Sequence, residues 1–193
     1  MSYEIQYHVW IQWKGKYECS GTVIHNRYIL TTANCLIQSV PNAEYKTKLK
    51  LKKNLYGFDA YEVAIPLSEE RAKSHEGLEL FVSGYGQITV KNAFIDYDQH
   101  KFYMEILSMT RCKKLFPDVD LSGKFCAIPA LGYKSCMSDI GSPATVNKMH
   151  LIGIYIGFKE VTDCLKHYAE LFIDVTSYSD FIRSAILNST DRL

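Results

Sequence analysis

The residues best placed for chemistry are gathered in one run, Lys134-Ser135-Cys136-Met137-Ser138-Asp139-Ile140-Gly141-Ser142-Pro143. It offers hydroxyls at Ser138 and Ser142 and a carboxylate at Asp139. A hydroxyl becomes a useful nucleophile only when a base takes its proton, so either serine requires such a partner elsewhere in the chain. The six histidines, at 8, 25, 75, 100, 150 and 167, are scattered, and none has metal-ligand spacing with a cysteine or carboxylate. His25 adjoins the turn signal Asn26-Arg27 and reads as a surface residue. At the centre of the run stands Ile140, whose side chain has no atom that can lose a proton and attack a carbonyl.

The elements around this run read as short strands. His8–Trp13 (HVWIQW) alternates and is aromatic and β-branched, as suits a half-buried strand. Lys14-Gly15-Lys16 signals a turn, Tyr17–Ile24 forms a second strand, and Asn26-Arg27 turns into Tyr28–Thr32. Short strands at this spacing indicate an all-β sandwich or barrel. Lys46, Lys48, Lys50 and Lys52 alternate with other residues, so a strand there gathers its lysines on one face. One reading is a solvated edge that resists pairing with another chain; the other is a polyanion- or glycan-binding stripe. Near the C-terminus, Ser177 with Asp180 resembles a capping box, and Tyr178, Phe181, Ile182, Ala185 and Ile186 recur at helical spacing.

Composition narrows the classes. With 193 residues, 47% hydrophobic and 22% charged, the chain has the balance of a globular protein with one sizeable core. A net charge of +1 argues against general electrostatic capture of nucleic acid. No apolar run approaches the roughly 20 residues of a membrane-spanning helix, so neither nucleic acid nor a membrane is an expected partner. Met1-Ser2-Tyr3-Glu4 does not open a signal peptide. Six cysteines without a CxxC pair suggest disulfides more than metal, and about 15 connectivities are open to them. No cofactor motif is present, and Asn188-Ser189-Thr190 forms a glycosylation sequon.

The run around Ile140 resembles the trypsin- and chymotrypsin-like serine proteases, whose nucleophile lies in Asp-Ser-Cys-x-Gly-Asp-Ser-Gly-Gly-Pro. Further runs carry the resemblance. Cys19-Ser20-Gly21-Thr22-Val23-Ile24 and Tyr28-Ile29-Leu30-Thr31-Thr32-Ala33-Asn34-Cys35 are similar to Cys-Gly-Gly-(Ser/Thr)-(Leu/Val)-Ile and Trp-Val-Leu-Thr-Ala-Ala-His-Cys. Tyr61-Glu62-Val63-Ala64-Ile65 matches Asn-Asp-Ile-Ala-Leu, and Phe81–Gly86 resembles the Ser-Gly-Trp-Gly run leading into the second barrel. Ile152-Gly153-Ile154 and Phe172–Ile182 match the strand after the nucleophile loop and the closing strand with its helix.

The resemblance implies one trypsin-like domain over residues 1–193, with two six-stranded antiparallel Greek-key barrels and a C-terminal α-helix. The first barrel, about 1–85, is abbreviated between Cys35 and Glu62; the second is about 86–175 and the helix about 177–188. It implies the pairs Cys19–Cys35, Cys112–Cys126 and Cys136–Cys164, hence an oxidising, extracellular setting. It also implies that catalysis is lost. The family's histidine falls on Asn34, its aspartate on Glu62 and its serine on Ile140. An amide is no general base near neutral pH, so the triad is degenerate.

The oxyanion-hole glycine falls on Ser138, where a side chain hinders the required amide orientation. In the substrate pocket, Lys134 replaces the specificity aspartate, Glu170 a wall glycine and Phe158 a glycine at the entrance. Lys134 and Glu170 are expected to pair there, with Phe158 plugging the mouth. The chain has no Ile-Val-Gly-Gly start to engage Asp139. The expected role is therefore a secreted serine protease homologue that acts by binding. Precedents in the family are cofactors of arthropod immune cascades and inactivated paralogues of parasitic mites that interfere with host complement. The alternatives are a residual hydrolase with a relocated nucleophile and a decoy for protease inhibitors.

Overall fold

The computed structural model describes residues 5–13, 16–33, 35, 48–50, 64–69, 72–84, 99–130, 140–157 and 169–187. Asn34, Glu62, Lys134, Ser138, Asp139, Phe158, Asn188, Cys136, Cys164, Lys46 and Lys52 lie outside the described residues.

The alternating N-terminal segments form strands β1 (His8–Trp13), β2 (Lys16–His25), β3 (Tyr28–Leu30) and β4 (Lys48–Lys50), paired in that order in a four-stranded antiparallel sheet. One side of this sheet is apolar: Val23 and Ile29 are buried, with Val9, Ile11 and Ala64 packed against them. Gly21 is required in β2, where side chains from the flanking strands β1 and β3 close over it. A Cβ there would stand 2.6 Å from Ile29 Cγ2 and 3.0 Å from Ile11 Cδ1. In β4 the register sets Lys48 opposite Leu30, Leu49 opposite Ile29 and Lys50 opposite Tyr28. Lys48 and Lys50 thus occupy alternate positions of a strand, and β4 is an edge among the described residues.

Six further strands close a barrel: β5 (Glu79–Gly84), β6 (His100–Ile106), β7 (Lys124–Pro129), β8 (Pro143–Val146), β9 (His150–Gly157) and β10 (Glu170–Asp174). Their order around the barrel is β10-β7-β6-β5-β8-β9. Inward-facing Leu80, Val82, Met104, Ile106, Phe125, Ile152, Tyr155 and Phe172 fill it. Phe125 and Phe172 stack at 5.2 Å between centroids, and Tyr155 tilts onto Phe172 at 5.5 Å. Strand β5 ends at Gly84, beside the boundary expected near residue 85. It pairs with β6 and β8 and is the first strand of the second barrel, although its sequence reads as an approach to that barrel.

Helix α1 (Met109–Leu115) is capped by Ser108, whose hydroxyl accepts from the Arg111 N–H. The Cys112–Cys126 disulfide ties it to β7, and Cys19–Cys35 ties β2 to the segment after β3. Both agree with the pairing that the family resemblance implied. Helix α2 (Ser179–Leu187) follows a 3-10 turn over Val175–Tyr178. The first cap comes from Asp174, which accepts from the Thr176 N–H at 3.0 Å, and not from Ser177. The closing strand ends on Asp174 and the chain tightens before the α-helix begins, so the carboxylate reaches the free amide first. Ile182 is buried and Ile186 packs against the same cluster, but Tyr178 and Phe181 are 48% and 52% exposed.

Candidate functional site

The turn that carries Ile140 is held by main-chain bonds on both sides. The Ser20 N–H donates to the Ile140 carbonyl at 2.9 Å, and the Gly141 N–H donates to the Tyr155 carbonyl at 2.9 Å. Tyr155 N–H returns a bond to the Ser142 carbonyl at 3.0 Å. Gly141 is left-handed, with φ +95°, and presses against the first barrel: a Cβ there would collide with the Ser20 carbonyl oxygen and lie 2.7 Å from Thr31 Oγ1. Thr31 Oγ1 itself donates to that carbonyl at 2.8 Å. The segment that runs into residue 34 therefore meets the turn that holds Ile140. Both expected catalytic neighbourhoods converge at the junction of the two barrels.

Ile140 is partly buried and packs against the apolar core of the second barrel. Its side chain adds contact to that core and presents no group that can transfer a proton. Ala33, next to position 34, lines a cavity of about 150 Å³ with Leu30, Ile154, Tyr178, Phe181 and Ile182. Cys35 on the other side is buried in its disulfide. Glu170 heads β10 opposite Ala127 and is only 2% exposed. Its expected partner, Lys134, lies outside the described residues.

A second constellation lies at the same junction, built from residues far apart in the sequence. His8 Nε2 is 2.8 Å from Ser20 Oγ, and His8 Nδ1 is 2.8 Å from Ser83 Oγ. Ser20 lies opposite Trp10, two positions along β2 from Thr22, the residue that pairs with His8. The two side chains are thus diagonal neighbours on one face of the sheet. Ser83 comes from β5 of the second barrel, so one imidazole joins β1, β2 and β5. On paper a hydroxyl, an imidazole and a second hydroxyl form a nucleophile, a base and an orienting group. Burial decides otherwise. His8 is 4% exposed, Ser20 0% and Ser83 1%, which leaves a substrate no route to the hydroxyl. Burial also lowers the His8 pKa from 6.5 to about 3, so the ring is neutral and a poor proton acceptor. It is a clasp between the barrels. Two signals point to it in sequence: a histidine on one alternating face of HVWIQW, and Ser20 where the family run has glycine.

The family model for trypsin matches residues 47–182, well over half of the chain. The chain belongs to the trypsin family. Among its relatives, a collagenase of Hypoderma lineatum is 22% identical, over 86% of this chain and 75% of that protein. Thrombin-like enzyme 1 of Trimeresurus albolabris is 23% identical, over 92% and 80%. Among solved structures, neuropsin, a serine protease of mouse brain, superposes with a TM-score of 0.77 at 18% identity, covering 94% of each chain. That likeness is one of fold. Among the described residues no group of three or more histidine, cysteine or carboxylate side chains could hold a metal ion.

Proposed function

We propose that this trypsin-family protein is secreted, does not cleave peptides and works by binding another extracellular protein. Ile140 is the observation that carries the reading. An alkyl side chain stands at the nucleophile corner, packed on the barrel core, where attack on a carbonyl requires a polarised oxygen. Asn34 and Glu62 at the remaining triad positions, and Ser138 at the oxyanion position, agree with it. The disulfides and the family favour an extracellular setting. Within that class, a component of complement or of a proteolytic immune cascade is the partner we favour, engaged by loops outside the cleft.

Two measurements test this. A fluorophosphonate probe should leave the wild-type protein unlabelled, while covalent labelling would favour a hydrolase with a relocated nucleophile. The variant carrying Asn34→His, Glu62→Asp and Ile140→Ser should still hydrolyse a peptide ester about a hundredfold or more below an active trypsin-like enzyme, because Ser138 still compromises the oxyanion donor. A pull-down from plasma or haemolymph with the wild-type protein as bait then tests the partner. Failure to enrich complement or cascade proteins would remove that partner and leave the loss of catalysis standing.

A further inference from the structure

The hairpin that joins β8 to β9 turns through Asn147 and Lys148, both left-handed, with φ of 52° and 57°. The turn closes with the Met149 N–H donating to the Val146 carbonyl at 3.2 Å. Two consecutive positive φ values make this a primed turn, in which glycine or asparagine is the ordinary choice for the second position. A lysine there costs about 1 kcal/mol of backbone strain. Its side chain offers a compensation. The Lys148 ammonium stands 5.4 Å from the Phe81 ring centroid and 5.2 Å from that of Tyr103, two rings set edge to face. It also donates to the Tyr103 phenol, which raises the lysine pKa.

The result is an exposed cation held in one place. It borders a surface groove of about 410 Å³ lined by Leu78, Glu79, Phe81, Tyr103, Val146 and Asn147. Leu78 in the groove is 52% exposed and Met149, next to Lys148 in the turn, is 63% exposed. A pre-ordered charge with aromatic support and flanking apolar side chains has the make-up of an interface anchor, because little entropy is lost when a partner seats on it. Lys148 and Glu79 are the charged residues of the groove, and they attract one another. A cationic partner would have to displace Lys148 from its rings, whereas an anionic one meets the ammonium as it stands.

We propose that this groove docks a partner protein through an acidic side chain next to an apolar one, the carboxylate meeting Lys148 and the apolar group covering Leu78. The site is on the second barrel's outer face and does not depend on what the cleft does. The probe is N-acetyl-Leu-Glu-amide, titrated into the full-length protein at low salt and followed by backbone amide NMR. The Gln and Lys analogues of the probe serve as controls. Shifts are expected at Leu78, Tyr103 and Asn147 to Met149 with the Glu probe alone. Lys148→Gly should weaken binding about fivefold or more, since glycine keeps the left-handed turn and removes only the side chain. Glu79→Gln should strengthen it by removing the competing carboxylate. Equal shifts with the Gln analogue, preference for the Lys analogue, or no shifts at these amides would each overturn the proposal. Peptidase activity measured on the same sample reports separately on the cleft.

Discussion

Lowering the pH from 7 towards 3 is expected to loosen the joint between the two barrels, and His8 should account for a distinct part of that loss. The imidazole is buried between Ser20 and Ser83, and burial moves its pKa from 6.5 to about 3. The folded protein thus prefers the neutral ring, while the unfolded chain binds a proton near pH 6.5. The stabilisation is complete above pH 6.5 and drains away as the pH falls from there to about 3. Over that range the difference amounts to about 4 kcal/mol, a large share of a typical total of about 5–15 kcal/mol. For a chain of this size the melting temperature should fall by about 10 °C or more on this account.

Carboxylates add their own acid loss, so the informative comparison is with His8→Gln. A glutamine amide can still donate to one serine and accept from the other, yet takes up no proton in this range. Melting followed by circular dichroism between pH 7 and 3.5 should give the variant the shallower pH dependence, by close to one proton between pH 4 and 6. Parallel curves for the two proteins would show that His8 is not the responsible group.

His8 also shows what the sequence could and could not convey. The strand it lies in was legible, because HVWIQW alternates and is bounded by a glycine turn. Its role was not, because Ser20 and Ser83 are 12 and 75 residues away and no local pattern links them. The disulfides Cys19–Cys35 and Cys112–Cys126 were recoverable only through the family resemblance, since six cysteines by themselves leave the pairing open. For β5 the sequence offered only the resemblance of Phe81–Gly86 to a family run; strand pairing is settled by partners, and its partners β6 and β8 come later in the chain. In α2 the helical spacing was present, yet only Ile182 and Ile186 reach the core cluster. The spacing marks which residues share a face, and the width of the neighbouring sheet decides how many of them it covers.

Gly141→Ala is expected to be among the most damaging single substitutions in the chain. The backbone there is left-handed, at φ +95°, which alone costs an alanine about 1–2 kcal/mol. The added methyl would also run into the Ser20 carbonyl oxygen. That oxygen cannot simply retreat. It accepts from Thr31 Oγ1 at 2.8 Å, and the Ser20 N–H holds the Ile140 carbonyl at 2.9 Å. Relief therefore requires separating the turn from β2, which breaks the contact on which the two barrels meet, at an expected cost of about 4 kcal/mol or more.

Gly77→Ala is the control, because Gly77 has a similar φ of +78° with nothing within 4 Å of the added methyl. Urea unfolding of the two variants separates strain from collision: Gly77→Ala should show only the backbone cost, and equal losses in both would mean that the turn moves freely away from β2. The junction constrains position 141 far more than position 140. Gly141 is needed by the junction whatever stands beside it, whereas the residue before it can become an isoleucine and pack onto the core. The turn at Gly141 is a structural joint, and its geometric demands are set by Ser20 and Thr31 and not by the side chain at position 140.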